Sequence, residues 1–360
     1  MAESPVFPMP APMEGHGGYN RGSRVQAAGL SPALPLLKQA AATAALTPGP
    51  EPIVIADYGC AEGRNSLRPM AVAVGAHRER AGADRAISVV HVDRPANDFN
   101  ALFQLLAGDP QSYVAADRAV FASAVGSSFF TQVLPAASVT IGWSSWAVQW
   151  LSRVPGPIPD HIQVASSRDS AARAAYAWQA AEDWQQFLTC RGRETRRGGR
   201  LVVITMATDD AGDFGYRAVL QAMHGALLSL VDDGLLQAEE LRRMAIPTVG
   251  RRRADFLAPF GAEGRFAGWT VETLEIFAGE DRIWDEFEQS RDAAAFGAQW
   301  AAFSRASVFP TLAAELDGGP DDPRAATFVD RLEAGMAARL AAAPEPTLIP
   351  LARMLLVKSG

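Results

Sequence analysis

One short segment, residues 52–65, constrains the fold of this chain more than any other part of the sequence. It opens with the apolar run 53–56, which is followed by Asp57 and by a loop that contains Gly59 and Gly63. A continuous apolar run between proline and glycine predicts a strand buried on both faces of a parallel sheet. Glycines after such a strand allow a sharp turn and close approach of a ligand to the backbone. The segment therefore predicts an α/β fold with a ligand cleft at the carboxyl edge of the sheet.

The same design recurs further along the chain, where the apolar run 88–92 ends in Asp93. An acid at the end of the second strand is the usual partner of a ribose diol, so the two segments predict a nucleoside cofactor. The sequence lacks G-x-G-x-x-G, the three-glycine fingerprint of dinucleotide-binding proteins. Its absence argues against a pyrophosphate ligand and favours S-adenosylmethionine (SAM), which carries no phosphate.

Apolar runs alternate with helical patterns along most of the chain. Strands are predicted at 53–56, 88–92, 138–141, 201–205, 270–277 and 348–357. Helices are predicted at 34–45, 98–106, 167–197, 293–309 and 325–342, and Gly198, Gly199 and Arg200 are expected to end the third of these. The alternation predicts a doubly wound, Rossmann-like parallel sheet.

The segment 211–247 differs because it is an Ala-, Leu- and Met-rich helical insertion, with helices expected at 219–231 and 237–244. Such an insertion is either a lid over the ligand cleft or one more packing layer, and we favour the lid. The stretch 249–268 is expected to be a loop. The resulting division is a flexible lead-in (1–14), the first part of a SAM-binding core (15–210), a helical cap over an acceptor pocket (211–268) and the rest of the core with terminal strands and further helices (269–360).

Charge and composition argue against several classes of function. A net charge of −7 does not suit a surface that binds nucleic-acid phosphates. The two distant cysteines make no disulfide framework and fit a reducing cytoplasm, where we expect the protein. No apolar stretch reaches membrane-spanning length, and no histidine stands at metal-ligand spacing from a cysteine or another histidine. The signatures G-x-S-x-G, the Walker loop and C-x-x-C are also absent.

Five short motifs carry residue types that a ligand site needs, and each also has an ordinary structural explanation. The first is 19–26, which is otherwise a flexible polar loop, and the second is the loop 57–65. In 93–100, Asp93 suits a ribose, whereas Asn97 or Asp98 suits a helix N-cap.

The fourth motif is 126–130, in which Ser128 could hydrogen-bond the edge of an adenine and Phe129 could stack on its face. A pair of phenylalanines is otherwise common in a protein core. The fifth contains Trp143, Trp146 and Trp150, which would share one face if the segment were helical. Such a stripe is more often core, but beside the cofactor edge it would form a slot for a flat aromatic ligand.

Taken together and in order, these motifs resemble the SABATH family of SAM-dependent methyltransferases. The resemblance rests on Tyr-x-x-x-Ser-x-x-Gln, Asp-x-Gly-Cys-x-x-Gly-x-Asn, Asp-x-Pro-x-Asn-Asp-Phe-Asn, Ser-Phe and Ser-Ser-x-x-x-x-Trp-Leu-Ser-x-Val-Pro, and it runs from about residue 15 to the last strand. Members of the family methylate salicylate, benzoate, jasmonate, indole-acetate and related carboxylic acids, or xanthine nitrogens. The resemblance implies a class I SAM methyltransferase sheet with a helical cap, and a homodimer.

Site residues follow from the matched motif positions. The SAM-binding positions would be Tyr19, Ser23, Asp57, Gly59, Cys60, Asn65, Asp93, Arg94, Ser128 and Phe129. The acceptor pocket would be lined by Tyr19, Gln26, Trp146, Gln149, Trp150, Val219 and Leu220. Of these, Gln26 and Trp150 would hydrogen-bond the acceptor carboxylate and so position it for reaction.

The chain departs from the family pattern at several positions. Arg94 replaces a leucine beside the adenine, so its charge must leave the pocket or find a partner. Ala61, Glu62 and Arg64 replace small residues and proline, Trp143 replaces a histidine, and Leu220 replaces a tryptophan, which would widen the pocket. Arg242 and Ala245 stand where some members carry metal ligands, so we expect no metal.

The reaction that the resemblance implies is displacement of the SAM methyl group by a carboxylate oxygen, which yields a methyl ester and S-adenosylhomocysteine. A carboxylic acid with a pKa of about 4 is already ionised at neutral pH, so no general base is needed. Methylation of a nitrogen or a phenol oxygen, loss of catalysis in a SAM-binding protein, and a nicotinamide dehydrogenase are the alternatives. We expect a small, aromatic carboxylic acid as substrate and neither nucleic acid nor membrane as a partner.

Overall fold

The computed structural model describes residues 10–359, so the part of the predicted lead-in before Pro10 lies outside the described residues. Within 10–359, eight strands form one mixed sheet in the order β3-β2-β1-β4-β5-β8-β7-β6. The strands are β1 (Ile53–Tyr58), β2 (Ile87–Asp93), β3 (Val120–Gly126), β4 (Val139–Ser145), β5 (Thr195–Met206), β6 (Arg265–Phe266), β7 (Trp269–Ala278) and β8 (Pro350–Lys358). The first five are parallel and the last three run antiparallel to their neighbours, which confirms the predicted α/β fold.

The helices cover both faces of this sheet and its carboxyl edge. They are α1 (Gly18–Gly22), α2 (Arg24–Gly29), α3 (Leu34–Thr43), α4 (Arg64–Ala81), α5 (Phe99–Gly108), α6 (Ser170–Glu194), α7 (Arg217–Asp232), α8 (Ala238–Arg243), α9 (Arg253–Leu257), α10 (Arg282–Ser290), α11 (Ala293–Ser307), α12 (Phe309–Ala313) and α13 (Ala325–Ala342). Among residues 10–359, no helix is long and apolar enough to cross a membrane.

Three apolar clusters hold these layers together. Residues of α3, α4 and α5 pack on one face of the central strands. Residues of α6, together with Phe256 and Phe260, pack on the other face. The third cluster joins α7, α11, α12 and α13 into a helical layer. Val219, Leu220 and Met223 of α7 belong to this layer, which is therefore in place to border a cleft at the carboxyl edge of the sheet.

Several predicted boundaries are wrong. Residues 195–197 begin β5 and do not end α6, and the expected stop at Gly198 lies inside that strand. Gly198 has a φ of +74°, and the β4–β5 register shifts between Val139 and Ile141. The strand therefore continues past the glycine through a local irregularity in its pairing. The stretch 249–268 is not a simple loop, because it contains α9 and β6.

Candidate active site

The loop after β1 is built around residues with left-handed backbone. Gly59, Ala61 and Gly63 have φ values of +92°, +46° and +88°. A β-carbon at Gly59 would overlap Ala147, and one at Gly63 would overlap Leu102. Both glycines are therefore required by space as well as by conformation. The loop turns directly into α4, whose N-cap is Gly63.

Asp93 holds this loop from the neighbouring strand. One of its carboxylate oxygens accepts a 2.7 Å hydrogen bond from the backbone N–H of Ala61, and the other accepts from the N–H of Arg94 at 2.8 Å. Asn97 donates to the carbonyl of Ala61 at 2.9 Å. Burial raises the pKa of the Asp93 carboxyl, and the two backbone N–H groups oppose that shift. Asp98 is the N-cap of α5, since it accepts a hydrogen bond from the N–H of Ala101, which leaves Asp93 as the acid of this motif that faces the loop.

Asp57 belongs to a buried network of hydrogen-bonded side chains. Its Oδ2 accepts a hydrogen bond from Ser66 at 2.5 Å and lies 2.9 Å from Nδ1 of His91. The other ring nitrogen of His91 lies 2.6 Å from the hydroxyl of Tyr113. This hydrogen-bond network fixes the carboxylate of Asp57 at the end of β1. The sequence analysis missed both partners, since His91 lies within a run interpreted only as a buried strand and Tyr113 belongs to no motif.

A cavity opens beside this loop. It has a volume of about 90 Å³ and is lined by Pro10, Ala11, Pro12, Met13, Tyr19, Gly59, Ala61, Asp93, Arg94, Ser128, Phe129, Phe130, Trp146, Ala147, Trp150, Leu151 and Ser152. Six predicted SAM-binding residues are therefore brought together here. Ser23 and Cys60 are buried nearby on α2's N-cap and the loop, and they do not line the cavity.

Two departures from the family pattern have structural explanations. Arg94 donates a hydrogen bond to the carbonyl of Pro10, so its guanidinium contacts the N-terminal segment. Glu62 is buried, and its two oxygens accept hydrogen bonds from the backbone N–H groups of Gly17 at 2.6 Å and Asn20 at 2.9 Å. Glu62 therefore fastens α1, which carries Tyr19, to the loop after β1.

A second cavity, of about 60 Å³, lies next to the first and shares Met13, Tyr19, Trp146 and Trp150 with it. All seven residues predicted for the acceptor pocket line it. Further lining residues that the sequence analysis missed are Gln163, Met206, Phe214, Tyr216, Met223, Ile246, Thr248, Phe303, Ser304, Ser307 and Val308. Four of these eleven lie in α7 and α11 of the helical layer, whose apolar pattern marks burial but does not show which side chains face a cavity.

Polar atoms in this second cavity lack partners. Oε1 of Gln26 and Nε1 of Trp146 are buried and make no hydrogen bond among the described residues. Gln149, in contrast, accepts from the Thr205 hydroxyl at 2.8 Å and donates to the carbonyl of Trp146 at 2.7 Å. The side chain of Gln149 therefore stabilises the cavity wall, whereas Gln26 and Trp146 each keep an unused hydrogen-bonding atom for a ligand.

The tryptophan motif is not a helix, and the predicted common face of three indoles is wrong. Trp143 lies in β4 and packs into the core of the sheet. Trp146 has a φ of +53°, which turns the chain so that its ring lies against Gly29. Only Trp146 and Trp150 of the three reach the cavity.

Arg242 and Ala245 stand where the family pattern has metal ligands. Arg242 forms an ion pair with Glu239, and Ala245 is buried. Residues 10–359 contain no group of three or more His, Cys, Asp or Glu side chains that could hold a metal ion.

Comparison with known proteins identifies a protein family and several relatives. Residues 7–341 match a family model described as SAM dependent carboxyl methyltransferase. The chain is 30% identical over 249 residues to Methyltransferase LUC1 of Fusarium sp, which covers 68% of this chain but 65% of that protein, slightly under two thirds of its length. It is 29% identical over 293 residues to Indole-3-acetate O-methyltransferase 1 of Arabidopsis thaliana, which covers 74% of this chain and 75% of the relative.

A solved structure shares the fold. It is a loganic acid methyltransferase with SAH, which aligns with a TM-score of 0.75 at 22% identity and covers 97% of this chain and 99% of the other.

Proposed function

The chain belongs to the SABATH family of SAM-dependent carboxyl methyltransferases, and from that premise we propose that it methylates a small, aromatic carboxylic acid in the second cavity. SAM is the cofactor of this family, and its reaction class is methyl transfer to a carboxylate. The observation that carries the proposal is the second cavity itself. It adjoins the first cavity, which Asp93 lines, has two tryptophans in its wall and contains an unpartnered buried N–H of Trp146 and an unpartnered amide oxygen of Gln26.

The composition of this cavity supports a carboxylate acceptor over a neutral one. None of the described residues that line it is His, Asp, Glu, Lys or Cys. A phenol or a protonated nitrogen would need a base to remove its proton, whereas a carboxylic acid ionises in water before it binds. Positioning then supplies catalysis, because a fixed carboxylate oxygen reacts as if at a very high local concentration.

We assign the roles of the lining residues on this basis. Gln26, through the Nε2 amino group of its amide, and Trp150, through its indole N–H, donate to one carboxylate oxygen and leave the other free to react. Trp146 offers its unpartnered N–H to the same group. Val219 and Leu220 keep water away from the reacting atoms. Tyr19 closes the boundary between the two cavities, since it lines both.

The residues around the first cavity fit a SAM molecule, which supplies an electrophilic methyl group. The Asp93 carboxylate keeps acceptor capacity beyond its two backbone hydrogen bonds, as binding of a ribose diol requires. The phenylalanine pair of Phe129 and Phe130, with ring centroids 4.7 Å apart, offers a face for the adenine, and Ser128 lies at its edge. Gly59 lines this surface, and Asp57, Cys60 and Ser23 are buried near it, whereas Asn65 on α4 lines a different cavity.

The wider organisation is also part of the proposal. We assign 211–268 to a cap over the acceptor, because α7 supplies residues to the cavity wall. The homodimer rests on the family resemblance. The cytoplasmic location rests on Cys60 and Cys190, which are free and buried.

The test is incubation of the purified chain with SAM and a panel of aromatic and aliphatic carboxylic acids, followed by mass spectrometry. A methyl ester of one class of acid is the expected result. If no ester forms although SAM binds in a parallel titration, the acceptor is a nitrogen or a phenol oxygen, or the activity has been lost.

A further inference from the structure

A third cavity, much larger than the two above, lies outside them. It has a volume of about 990 Å³ and lies between α6, the segment after β5 and the residues around α9. Its side chains include Arg173, Arg217, Arg251 and Arg252. We refer to it as the arginine cleft. Nothing in the reaction proposed above uses it.

The three cavities form a row. The acceptor cavity shares Tyr19, Trp146 and Trp150 with the cofactor cavity, and it shares Gln163, Phe214 and Thr248 with the arginine cleft. The cofactor cavity and the arginine cleft have no lining residue in common. An acceptor whose carboxylate faces the cofactor therefore points its other end at the arginine cleft.

The wall between the acceptor cavity and the cleft is thin. Nε2 of Gln163 donates to the hydroxyl of Thr248 at 2.8 Å, and Phe214 completes the wall. The acceptor cavity measures about 60 Å³, whereas an apolar cavity that holds one benzene measures about 150 Å³. An aromatic acid therefore needs more room than the acceptor cavity alone supplies, and the open space on the other side of this wall is the arginine cleft.

The cleft is positively charged in a chain whose net charge is −7. Four arginines line it, against two aspartates. Of the aspartates, Asp213 already pairs with Arg217 at 3.0 Å, and Asp255 accepts a hydrogen bond from the backbone N–H of Arg252 at 2.8 Å. Both acids are thus engaged within the wall.

The remaining arginines keep unused charge. Arg251 is 2% exposed, and its amino groups donate to the carbonyls of Val148 and Ala180 while its Nε has no partner among the described residues. Arg173 and Arg252 are exposed and form no ion pair within 4.0 Å in the range 10–359. The charge of the buried Arg251 guanidinium is partly balanced by Asp183 and Asp255. The two guanidinium groups at the rim, Arg173 and Arg252, form no ion pair in this range and therefore favour an anionic ligand.

We propose that the arginine cleft binds a second carboxylate of the acceptor, so that the preferred substrates are elongated dicarboxylic acids of which one carboxylate is methylated. This inference rests on the proposed function and extends it to a substrate class. In the reaction, one carboxylate oxygen forms the new bond to the methyl carbon while the bond between that carbon and the SAM sulfur breaks. The second carboxylate stays ionised among the arginines, and the product is a monomethyl ester.

The test compares aromatic diacids with monoacids of equal length whose distal carboxylate is replaced by a methyl group. We expect kcat/KM to be about tenfold higher for the diacid and this preference to shrink at high salt. In the double variant Arg173→Gln/Arg252→Gln, kcat/KM for the diacid should fall about tenfold, mainly through KM, and the monoacid rate should stay within twofold. Arg118→Gln is the matched control, because Arg118 is also exposed but lies outside the cleft.

Two results would overturn the inference: equal rates for diacid and monoacid, or a double variant that changes both rates equally. Failure of the proposed function itself is distinguishable, because then no acid of either kind would yield an ester although SAM binds.

Discussion

Gly59 packs so closely against Ala147 that a β-carbon added to the glycine would lie well within 3.0 Å of the alanine β-carbon. Gly59 belongs to the loop after β1, and Ala147 follows Trp146 in the segment that lines the acceptor cavity. This contact joins the two halves of the candidate active site. A change at Gly59 should therefore disturb both cofactor binding and the acceptor wall.

For Gly59→Ala we expect at least a tenfold loss of SAM affinity in calorimetric titration, because a φ of +92° is strained for alanine and the methyl group has no space. Gly75→Ala is the matched control. Gly75 is exposed in α4 with open space around its β-position, so alanine should stabilise the chain by about 0.5–1 kcal/mol and leave SAM binding unchanged. Wild-type affinity in Gly59→Ala would show that the loop takes another conformation when SAM binds.

Trp150→Phe tests the assigned carboxylate contact. Removal of the indole N–H should lower kcat/KM for the acid about 10- to 100-fold, as expected for a lost hydrogen bond to a charged group worth about 1.5–3 kcal/mol. SAM affinity should change little, because the aromatic ring is kept. Trp178→Phe, at a position that is 57% exposed on α6, serves as control and should behave like the wild type. Equal losses of turnover and SAM affinity would contradict the assigned role of Trp150.

The strands of the central sheet could be predicted because their signal is local. Four buried apolar runs mark β1, β2, β4 and β5, and each needs only its own sequence to be seen. The strand β3 is partly exposed and was missed, as was α4, which mixes arginines with alanines and contains Pro69. In these two elements the tertiary neighbours decide the conformation, and the apolar pattern is weak.

The candidate site was predictable in part for a different reason. Gln26 lies 120 or more residues before Trp146 and Trp150, and only the family motifs indicated that they meet. Phe214 and Thr248 carry no motif, because any apolar or small polar residue can fill a wall between two cavities. The arginine cleft was missed because Arg173 lies 78 residues before the pair Arg251 and Arg252, and each of these arginines on its own resembles ordinary charged surface.

Glu62→Gln tests how α1 is fastened to the cofactor loop. An amide has one acceptor oxygen, so either the N–H of Gly17 or that of Asn20 would face an amide N–H₂ group in a buried position. An unpaired buried donor costs about 1–3 kcal/mol, so we expect a lower melting temperature and weaker SAM binding. Glu79→Gln changes an exposed acid on α4 and is the control for loss of charge. If Glu62→Gln melted like Glu79→Gln, the two hydrogen bonds would not hold α1.

Glu240 ties α8 to the start of α13, and its charge gives the helical layer a defined pH dependence. The buried carboxylate accepts hydrogen bonds from the N–H groups of Gln237 and Asp317 and pairs with Arg324. Burial alone would raise its pKa, but these partners lower the pKa from 4.5 to about 2. A carboxyl whose pKa is depressed in the folded state stabilises the fold above its unfolded pKa, and that contribution is lost as the pH falls through the folded pKa.

Glu240→Gln should therefore destabilise the chain at pH 7, on the order of 3 kcal/mol in urea unfolding, because it leaves Arg324 without this partner. The difference from the wild type should shrink between pH 4.5 and about 2, the range in which the wild-type carboxylate gains its proton. Glu239→Gln is the neighbouring control, since Glu239 pairs with Arg242 at the surface and should contribute less than about 1 kcal/mol. A loss in Glu240→Gln that stays constant down to the lowest pH of cooperative folding would assign the effect to packing and not to charge.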